Sequence, residues 1–309
     1  MDLSQSARAV AMVRPTSFGF DTETAQSNTF QHYASLDTST ILKLVNDEFE
    51  QVVQILRFHN IDVTVIEDSP TPPKPNAVFP NNWLSTWPNG DIYLYPMATK
   101  SRRFERTEQA LDSIKERFAI TRAIDISTSE NENRFLESTG VIVFHHPSKT
   151  AYGCISLRCD EELFKEHVTK LGYAPILFHG LDEASAPIYH TNVMMGIQST
   201  TAVVCLEAIH DITERKKVFK SLKTLGLKIV VISYVQMNAF CGNVLELQSM
   251  HGERFLTLSQ TAYDHFTQEQ REVLSRDKIL LPLSVPTIEM IGGGSVRCML
   301  AELFLPTKK

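Results

Sequence analysis

The chain has 309 residues and a formal net charge of −6; 43% of its residues are hydrophobic and 21% are charged. This composition is typical of a globular protein, and it excludes a disordered tail, a collagen-like array and a small disulfide-rich protein. The acidic balance argues against nucleic-acid binding, because no stripe of lysine and arginine is available to neutralise phosphates.

The sequence shows no sign of export or membrane insertion. Its apolar runs stay below the roughly 18 residues that a membrane span needs. Residues 1–15 lack the basic start, apolar core and cleavage site of a signal peptide. The five cysteines are odd in number and have no CxxC spacing, which argues against a zinc site. We therefore expect a cytoplasmic protein with reduced thiols.

A helix followed by a strand recurs five times along the chain. In residues 38–58 the apolar positions repeat at helical spacing, and Asp37 or Thr38 can cap the first turn. The helices begin roughly 50–70 residues apart, which indicates a repeated structural unit. The predicted pairs are helix 38–58 with strand 61–68, helix 106–118 with strand 119–126, helix 160–171 with strand 174–180, helix 212–225 with strand 227–233, and helix 267–276 with strand 278–285.

A second short apolar run follows each of these pairs, so each repeat is expected to contain two strands. Closing five such units into a ring removes exposed sheet edges. The predicted fold is therefore α/β, a five-bladed α/β propeller with pseudo-fivefold repeats, in a single domain over residues 1–309. The alternative is an ordinary doubly wound α/β fold, in which strands also alternate with helices.

Polar residues stand at the same position of each repeat, just before the second apolar run. In a closed ring, equal positions lie at equal height, so these side chains are expected to converge at one end of the central axis. A cysteine, a histidine and a glutamate brought together there could perform nucleophilic catalysis with general acid–base assistance. At intervals of about 54 residues, the candidates are Asn81 and Asn82, Glu137, His190 and Asn192, Asn243, and Cys298.

The segment IGGGSVRCML (291–300) contains the most specific of these candidates. Its three glycines allow the backbone to pass close to a ligand. Cys298 would need a lowered pKa or a nearby base to act as a nucleophile. Each candidate also has a structural alternative: Cys298 and His190 could be core residues, Glu137 a turn cap, Asn82 and Asn192 turn formers, and Arg102 part of an exposed helix start.

Several of these motifs resemble the guanidine-modifying, or amidinotransferase, superfamily. They are MVRP (12–15), RRFE (102–105), LESTG (136–140), HTN (190–192) and GGGSVRC (292–298), and the resemblance spans almost the whole chain. It implies the pentein fold, a five-bladed α/β propeller. Within the superfamily, FPNNW, HTNVMM, QMNAF and GGGSVRCMLAE are most similar to the citrulline-utilisation hydrolases.

The resemblance also implies roles for individual residues. Cys298 falls at the nucleophile, His190 at the general acid–base, and Glu137 at the carboxylate that binds the amidine nitrogens and orients the histidine. Arg102 and Arg158 fall where relatives bind the substrate α-carboxylate, a task that suits a guanidinium fork. The remaining predicted substrate-binding residues are Asn81, Asn82, Asn192 and Asn243.

Two departures from the family pattern point to the substrate. Arginine-specific relatives have aspartates where this chain has Asn82 and Asn192. Two carboxylates suit a guanidinium cation, whereas amides can donate to the carbonyl oxygen of a neutral ureido group. Such matching of hydrogen bonds can discriminate between isosteric substrates by orders of magnitude.

We therefore predict a cysteine-dependent hydrolase that cleaves a linear C–N bond of a ureido or guanidino amino acid, with citrulline as the first candidate. No metal, organic cofactor, nucleic acid or membrane is expected as a partner, and a homodimer is left open. The alternatives are an amidinotransferase, an arginine-type deiminase or dimethylargininase, and a non-catalytic binding protein with the pentein fold.

Overall fold

Five sheets of three strands each make up the framework of the protein. The computed structural model describes residues 3–308. The strands are, in chain order, β1 (Ala9–Arg14), β2 (Asp62–Glu67), β3 (Leu84–Thr86), β4 (Asp91–Leu94), β5 (Arg122–Asp125), β6 (Val143–His145), β7 (Thr150–Ile155), β8 (Ala174–His179), β9 (Met195–Ile197), β10 (Thr201–Val204), β11 (Lys228–Val231), β12 (Leu245–Gln248), β13 (Arg254–Ser259), β14 (Ile279–Leu283) and β15 (Ala301–Leu303).

Every sheet has the same internal order. The middle strand pairs antiparallel with one neighbour and parallel with the other, in the sheets β15-β1-β2, β3-β4-β5, β6-β7-β8, β9-β10-β11 and β12-β13-β14. The inner strands contact the next sheet around the ring, as β15 does with β3 and β9 with both β6 and β12. The predicted five-bladed α/β propeller, the pentein fold, is confirmed.

The two ends of the chain meet in one sheet. Ala9 of β1 lies opposite Leu303 of β15 in an antiparallel pair and opposite Asp62 of β2 in a parallel pair. The last strand therefore completes the blade that the first strand begins. This pairing closes the ring and fixes the position of the segment just before β15.

Helices connect the strands and cover them. They are α1 (Thr38–Phe58), α2 (Lys100–Arg103), α3 (Glu108–Lys115), α4 (Ser138–Val141), α5 (Glu161–Lys170), α6 (Thr191–Met194), α7 (Ile212–Thr224), α8 (Tyr234–Asn238), α9 (Gln260–His265), α10 (Gln268–Leu274) and α11 (Val296–Met299). A parallel pair of strands needs a crossover connection, and α1, α3, α5, α7 and α10 provide it in the five blades.

The longest helix, α1, shows why these segments are helical. Asp37, one of the two predicted caps, accepts a hydrogen bond from the backbone N–H of Thr40 and so satisfies a donor that the first turn leaves free. The apolar positions that repeat at helical spacing, including Val45, Phe49 and Val52, are fully buried. The helix therefore packs one apolar face against its sheet.

The prediction of two strands per repeat is wrong, because each blade has three. The strand that was missed is the middle one. In β10 all four residues are buried, and in β1 five of six are, so neither shows the alternation that identifies a half-exposed strand. Cys298 lies in the short helix α11, just before β15.

Two further properties concern residues 3–308. None of the helices is both long enough and apolar enough to cross a membrane. Within the same residues, no group of three or more histidine, cysteine, aspartate or glutamate side chains is placed to hold a metal ion.

Candidate active site

Apart from Arg102 and Arg158, the predicted site residues lie at equivalent positions in the five blades, each just before an inner strand. Glu137 and His190 are the N-cap residues of the one-turn helices α4 and α6, and Cys298 lies within α11. Asn82 ends a short 3-10 turn before β3, and Asn243 lies in the turn before β12. The repeated blade therefore brings residues that are far apart in sequence to one end of the ring.

Glu137 and His190 form a buried pair. The Nε2 atom of His190 lies 2.7 Å from Oε2 of Glu137, which also accepts a hydrogen bond from Arg158 Nη1 at 3.3 Å. The other carboxylate oxygen accepts from the backbone N–H of Ala98. Burial favours the protonated acid, but the charge of Arg158 and the hydrogen bond from His190 outweigh it, so the pKa of Glu137 is lowered. The carboxylate is ionised at neutral pH.

His190 is neutral in this arrangement. Its burial outweighs the attraction of Glu137 and lowers the pKa of the imidazole to about 4. An ionised carboxylate can only accept, so Nε2 of His190 carries a proton and donates a hydrogen bond to Glu137. The opposite ring edge, with Nδ1 and Cε1, lies beside Gly140 and the amide of Asn82. Nδ1 is therefore the atom that can receive a proton in the site.

Two amides surround the sulfur of Cys298. Nδ2 of Asn243 donates to Sγ at 3.3 Å, and Nδ2 of Asn192 lies 3.9 Å away. The orientation of Asn243 is fixed because its Oδ1 accepts from the backbone N–H of Arg297. Burial raises the pKa of the Cys298 thiol, and the hydrogen bond from Asn243 acts in the opposite direction. The thiol is neutral at pH 7 until another charge or a base acts on it.

Cys298 and His190 line the same cavity, together with Asn82, Arg102 and Arg158. The cavity measures only about 10 Å³, which is the space of about one water molecule. Its other lining residues are Thr24, Asn28, Asn76, Phe79, Tyr189 and Gly292, Gly293 and Gly294.

The segment between β1 and α1 covers this cavity. Nδ2 of Asn28 donates to the carbonyl of Gly293 at 3.2 Å, and the carbonyl of Thr24 accepts from Arg158 Nη2 at 3.2 Å. Ser27 Oγ accepts from the same guanidinium. The cavity as it stands is too small for a substrate the size of an amino acid.

Arg102 and Arg158 both lie at the cavity, but they are engaged with the protein. Arg102 donates to Asn82 and Phe79 and forms a two-pronged ion pair with Glu105. These contacts use four of its five N–H groups. Arg158 instead directs three of its hydrogen bonds to the covering segment, and these donors become free when the segment moves.

Not every predicted residue reaches the cavity. Asn81 is fully buried but is not among the lining residues, and its side-chain amide has no hydrogen-bond partner among the described residues. The polypeptide turns at this point, so only one of the two adjacent asparagines can face the axis. Glu137 is also not a lining residue; it lies behind His190. Asn192 and Asn243 are not lining residues either, but both direct an amide at the sulfur of Cys298.

Sequence reasoning missed Glu105 and Tyr189, besides Asn76, Phe79 and the lining residues of the covering segment. Glu105 pairs with Arg102 at the i,i+3 spacing of a helical ion pair, and this spacing in RRFE could have revealed it. Tyr189 donates its hydroxyl proton to the carbonyl of Gly293 at 2.8 Å, and the Arg158 guanidinium lies 5.0 Å from the centre of its ring. Its position directly before His190 was the available signal.

The family comparison decides the broad assignment. The family profile "N,N dimethylarginine dimethylhydrolase, eukaryotic" matches residues 14–305. The chain belongs to this family. It is therefore a member of the guanidine-modifying superfamily, as its motifs predicted, and is homologous to hydrolytic enzymes that act on guanidino C–N bonds. No curated protein sequence is similar enough to count as a match.

Solved structures of low sequence identity share the fold. One is the N-terminal domain of ArgZ, an arginine dihydrolase of the ornithine–ammonia cycle in cyanobacteria, solved as a cysteine-to-serine variant with its substrate. Its TM-score is 0.74 at 10% identity, and the match covers 96% of this chain and 99% of that one. AgrE with ornithine and NAD+ has a TM-score of 0.74 at 11% identity. This chain is covered to 99% in that comparison but spans only 40% of AgrE.

A third structure with the same fold is also that of a named enzyme. It is a dimethylarginine dimethylaminohydrolase in an adduct with 4-chloro-2-hydroxymethylpyridine, with a TM-score of 0.62 at 12% identity, covering 96% of this chain and 99% of that one. At these identities the similarities establish the fold alone.

Proposed function

We propose that this family member is a cysteine-dependent hydrolase of a ureido amino acid, with citrulline as the first candidate. Net hydrolysis of citrulline consumes one water and yields ornithine, ammonia and carbon dioxide. We also propose that residues 1–309 act as one catalytic domain. The observation that carries the choice of substrate is the orientation of the Asn82 amide.

Arg102 determines which side of the Asn82 amide faces the cavity. Nη1 of Arg102 donates to Oδ1 of Asn82 at 2.6 Å, so the carbonyl end of the amide is occupied. The NH₂ end is buried, and among the described residues it has no acceptor. It lies on the same side of Gly140 as the free edge of His190. The cavity therefore offers a hydrogen-bond donor that lacks an acceptor.

A ureido group supplies that acceptor, and a guanidinium does not. The ureido carbonyl oxygen can accept from Nδ2 of Asn82, whereas a guanidinium carries only N–H groups. Leaving a buried donor unpaired costs about 1–3 kcal/mol, and two donors facing each other add repulsion. This difference favours citrulline over arginine at the reacting carbon.

The proposed reaction starts from two neutral groups. The sulfur of Cys298 attacks the ureido carbon while its proton passes to Nδ1 of His190, which Glu137 stabilises as an imidazolium. Asn82 donates to the oxygen of the tetrahedral species. His190 then returns the proton to the leaving nitrogen. It next removes a proton from a water molecule, which attacks the carbonyl carbon of the carbamoyl thioester; the thiol is released with its proton, and the carbamic acid formed breaks down to carbon dioxide and the second nitrogen product.

Arg158 is the better placed of the two arginines to bind the α-carboxylate. Moving the covering segment frees its Nε and both Nη2 hydrogens, which form a fork suited to a carboxylate. Arg102 keeps only one N–H unoccupied. We therefore assign the carboxylate to Arg158.

A guanidino amino acid is the second candidate, and the state of Cys298 favours it. Because burial raises the pKa of this thiol, a cationic substrate bound beside the sulfur would lower that pKa and help to form the thiolate. A neutral ureido group provides no such charge. An enzyme that removes both nitrogens of arginine in turn would bind a guanidinium group first and a ureido group afterwards.

Ammonia release from citrulline, arginine, agmatine and N,N-dimethylarginine tests the proposal, with Cys298→Ala as the control for each substrate. We expect citrulline to give the highest kcat/KM and the variant to be inactive on all four. Release from arginine with none from citrulline would contradict the ureido assignment. Activity that survives in Cys298→Ala would contradict the role of the thiol.

A further inference from the structure

We propose that Glu105 is a positioning residue that sets the substrate preference of the site through Arg102 and Asn82. This inference rests on the proposed function, since it concerns the same amide. It assigns the preference to a carboxylate that is not among the residues lining the cavity.

Glu105 holds Arg102 with both of its oxygens. Nε of Arg102 lies 2.8 Å from Oε1 and Nη2 lies 2.9 Å from Oε2. The two side chains are only 3% and 2% exposed. Among the described residues, Glu105 is the one carboxylate within ion-pair distance of Arg102. A two-pronged pair of this kind fixes the plane of the guanidinium as well as its position.

The fixed guanidinium in turn fixes Asn82. With Nε and Nη2 committed to Glu105, and Nη2 also donating to the carbonyl of Phe79, the remaining Nη1 points at Oδ1 of Asn82. An amide that is free to turn can exchange its oxygen and nitrogen by a half-rotation. Arg102 prevents this exchange, because the turned amide would place NH₂ against N–H.

Losing the carboxylate of Glu105 would release this constraint. In Glu105→Gln the new NH₂ group faces the donors of Arg102, so the guanidinium shifts or turns. Asn82 can then present either its oxygen or its NH₂ group to the substrate. A guanidinium can donate to the amide oxygen, and a ureido oxygen can accept from the amide NH₂ group. The discrimination between the two substrates is therefore lost.

The experiment measures kcat/KM for citrulline and for arginine in the wild type, Glu105→Gln, Asn82→Asp and the double variant. We expect Glu105→Gln to lower the citrulline-to-arginine ratio by roughly tenfold or more. In the Asn82→Asp background the same change should leave the ratio unaltered, because a carboxylate has two equivalent acceptors and no orientation to lose. A merely structural role would lower both kcat/KM values equally and would persist in that background.

A ratio that does not change in Glu105→Gln, or an equal change with and without Asn82→Asp, would overturn the role of Glu105. If Glu105→Gln does not fold, Glu105→Asp replaces it. Its shorter carboxylate reaches Arg102 with one oxygen. A citrulline-to-arginine ratio below that of the wild type supports the proposal, and the wild-type ratio overturns it. The wild-type ratio alone tests the proposed function, so the two proposals can fail separately.

Discussion

Asn243 directs its NH₂ group at the sulfur of Cys298 over 3.3 Å, and the backbone N–H of Arg297 prevents the amide from turning. This donor stabilises the thiolate more than the thiol, since hydrogen bonding to a charged form favours it. The contact therefore links the turn before β12 to the nucleophile in α11, before β15.

Replacing Asn243 by alanine should slow the chemical step. We expect kcat to fall by about 10²-fold, which is typical for the loss of one donor to a developing charge. The rate at which iodoacetamide alkylates Cys298 at pH 8 should fall as well. Asn238→Ala, an exposed residue in the nearby helix α8, is the matched control. Unchanged kcat and alkylation in Asn243→Ala would show that the contact has no catalytic role.

Gly140 leaves the space in which the Asn82 amide and His190 meet. A Cβ atom at this position would lie 2.4 Å from Asn82 Nδ2 and 3.0 Å from His190 Cε1. Gly140→Ala should therefore displace both groups and lower kcat/KM by about 10²-fold, as a shift of about 1 Å in a site can do. Gly19→Ala, where a Cβ meets nothing within 4 Å, should keep wild-type kinetics. Wild-type activity in Gly140→Ala would refute the arrangement.

The same residues show what the sequence could and could not predict. The regular sequence intervals between Glu137, His190 and Cys298 predicted their convergence. In a ring of equal blades, residues at the same position of each repeat lie at the same height along the central axis. The orientation of the Asn82 amide was not predictable, since it depends on Arg102, which lies 20 residues away and joins the site through tertiary packing. The same holds for Asn81, whose exclusion from the cavity depends on the direction of a single turn.

The pH dependence of Cys298 alkylation follows from its burial. Burial raises the pKa of the thiol, so the thiolate forms only as the pH rises past its ordinary value. The alkylation rate should therefore increase with pH and reach half of its limit above about pH 8.5. No inflection is expected between pH 5 and 7, because the pKa of His190 is about 4. A rate that is already constant at pH 7 would show a preformed thiolate.

Glu137 should contribute to stability as well as to catalysis. Glu137→Gln keeps the volume but removes the charge that faces the buried Arg158. Breaking a buried ion pair typically costs about 3–5 kcal/mol, so the free energy of unfolding in urea should fall by an amount of this order and activity should be lost. Glu132→Gln, an exposed partner of Arg134, should change stability by less than about 1 kcal/mol. Equal stability of the two variants would argue against a charged, buried Glu137.

Substrate selection by Asn82 is tested by comparing citrulline and arginine as substrates of the wild type and of Asn82→Asp. The wild type should have the higher kcat/KM for citrulline. Asn82→Asp replaces the donor by acceptors, so it should shift the ratio towards arginine by roughly 10²-fold or more. A wild type that prefers arginine, or a ratio that Asn82→Asp leaves unchanged, would contradict the claim that the fixed amide of Asn82 selects the substrate.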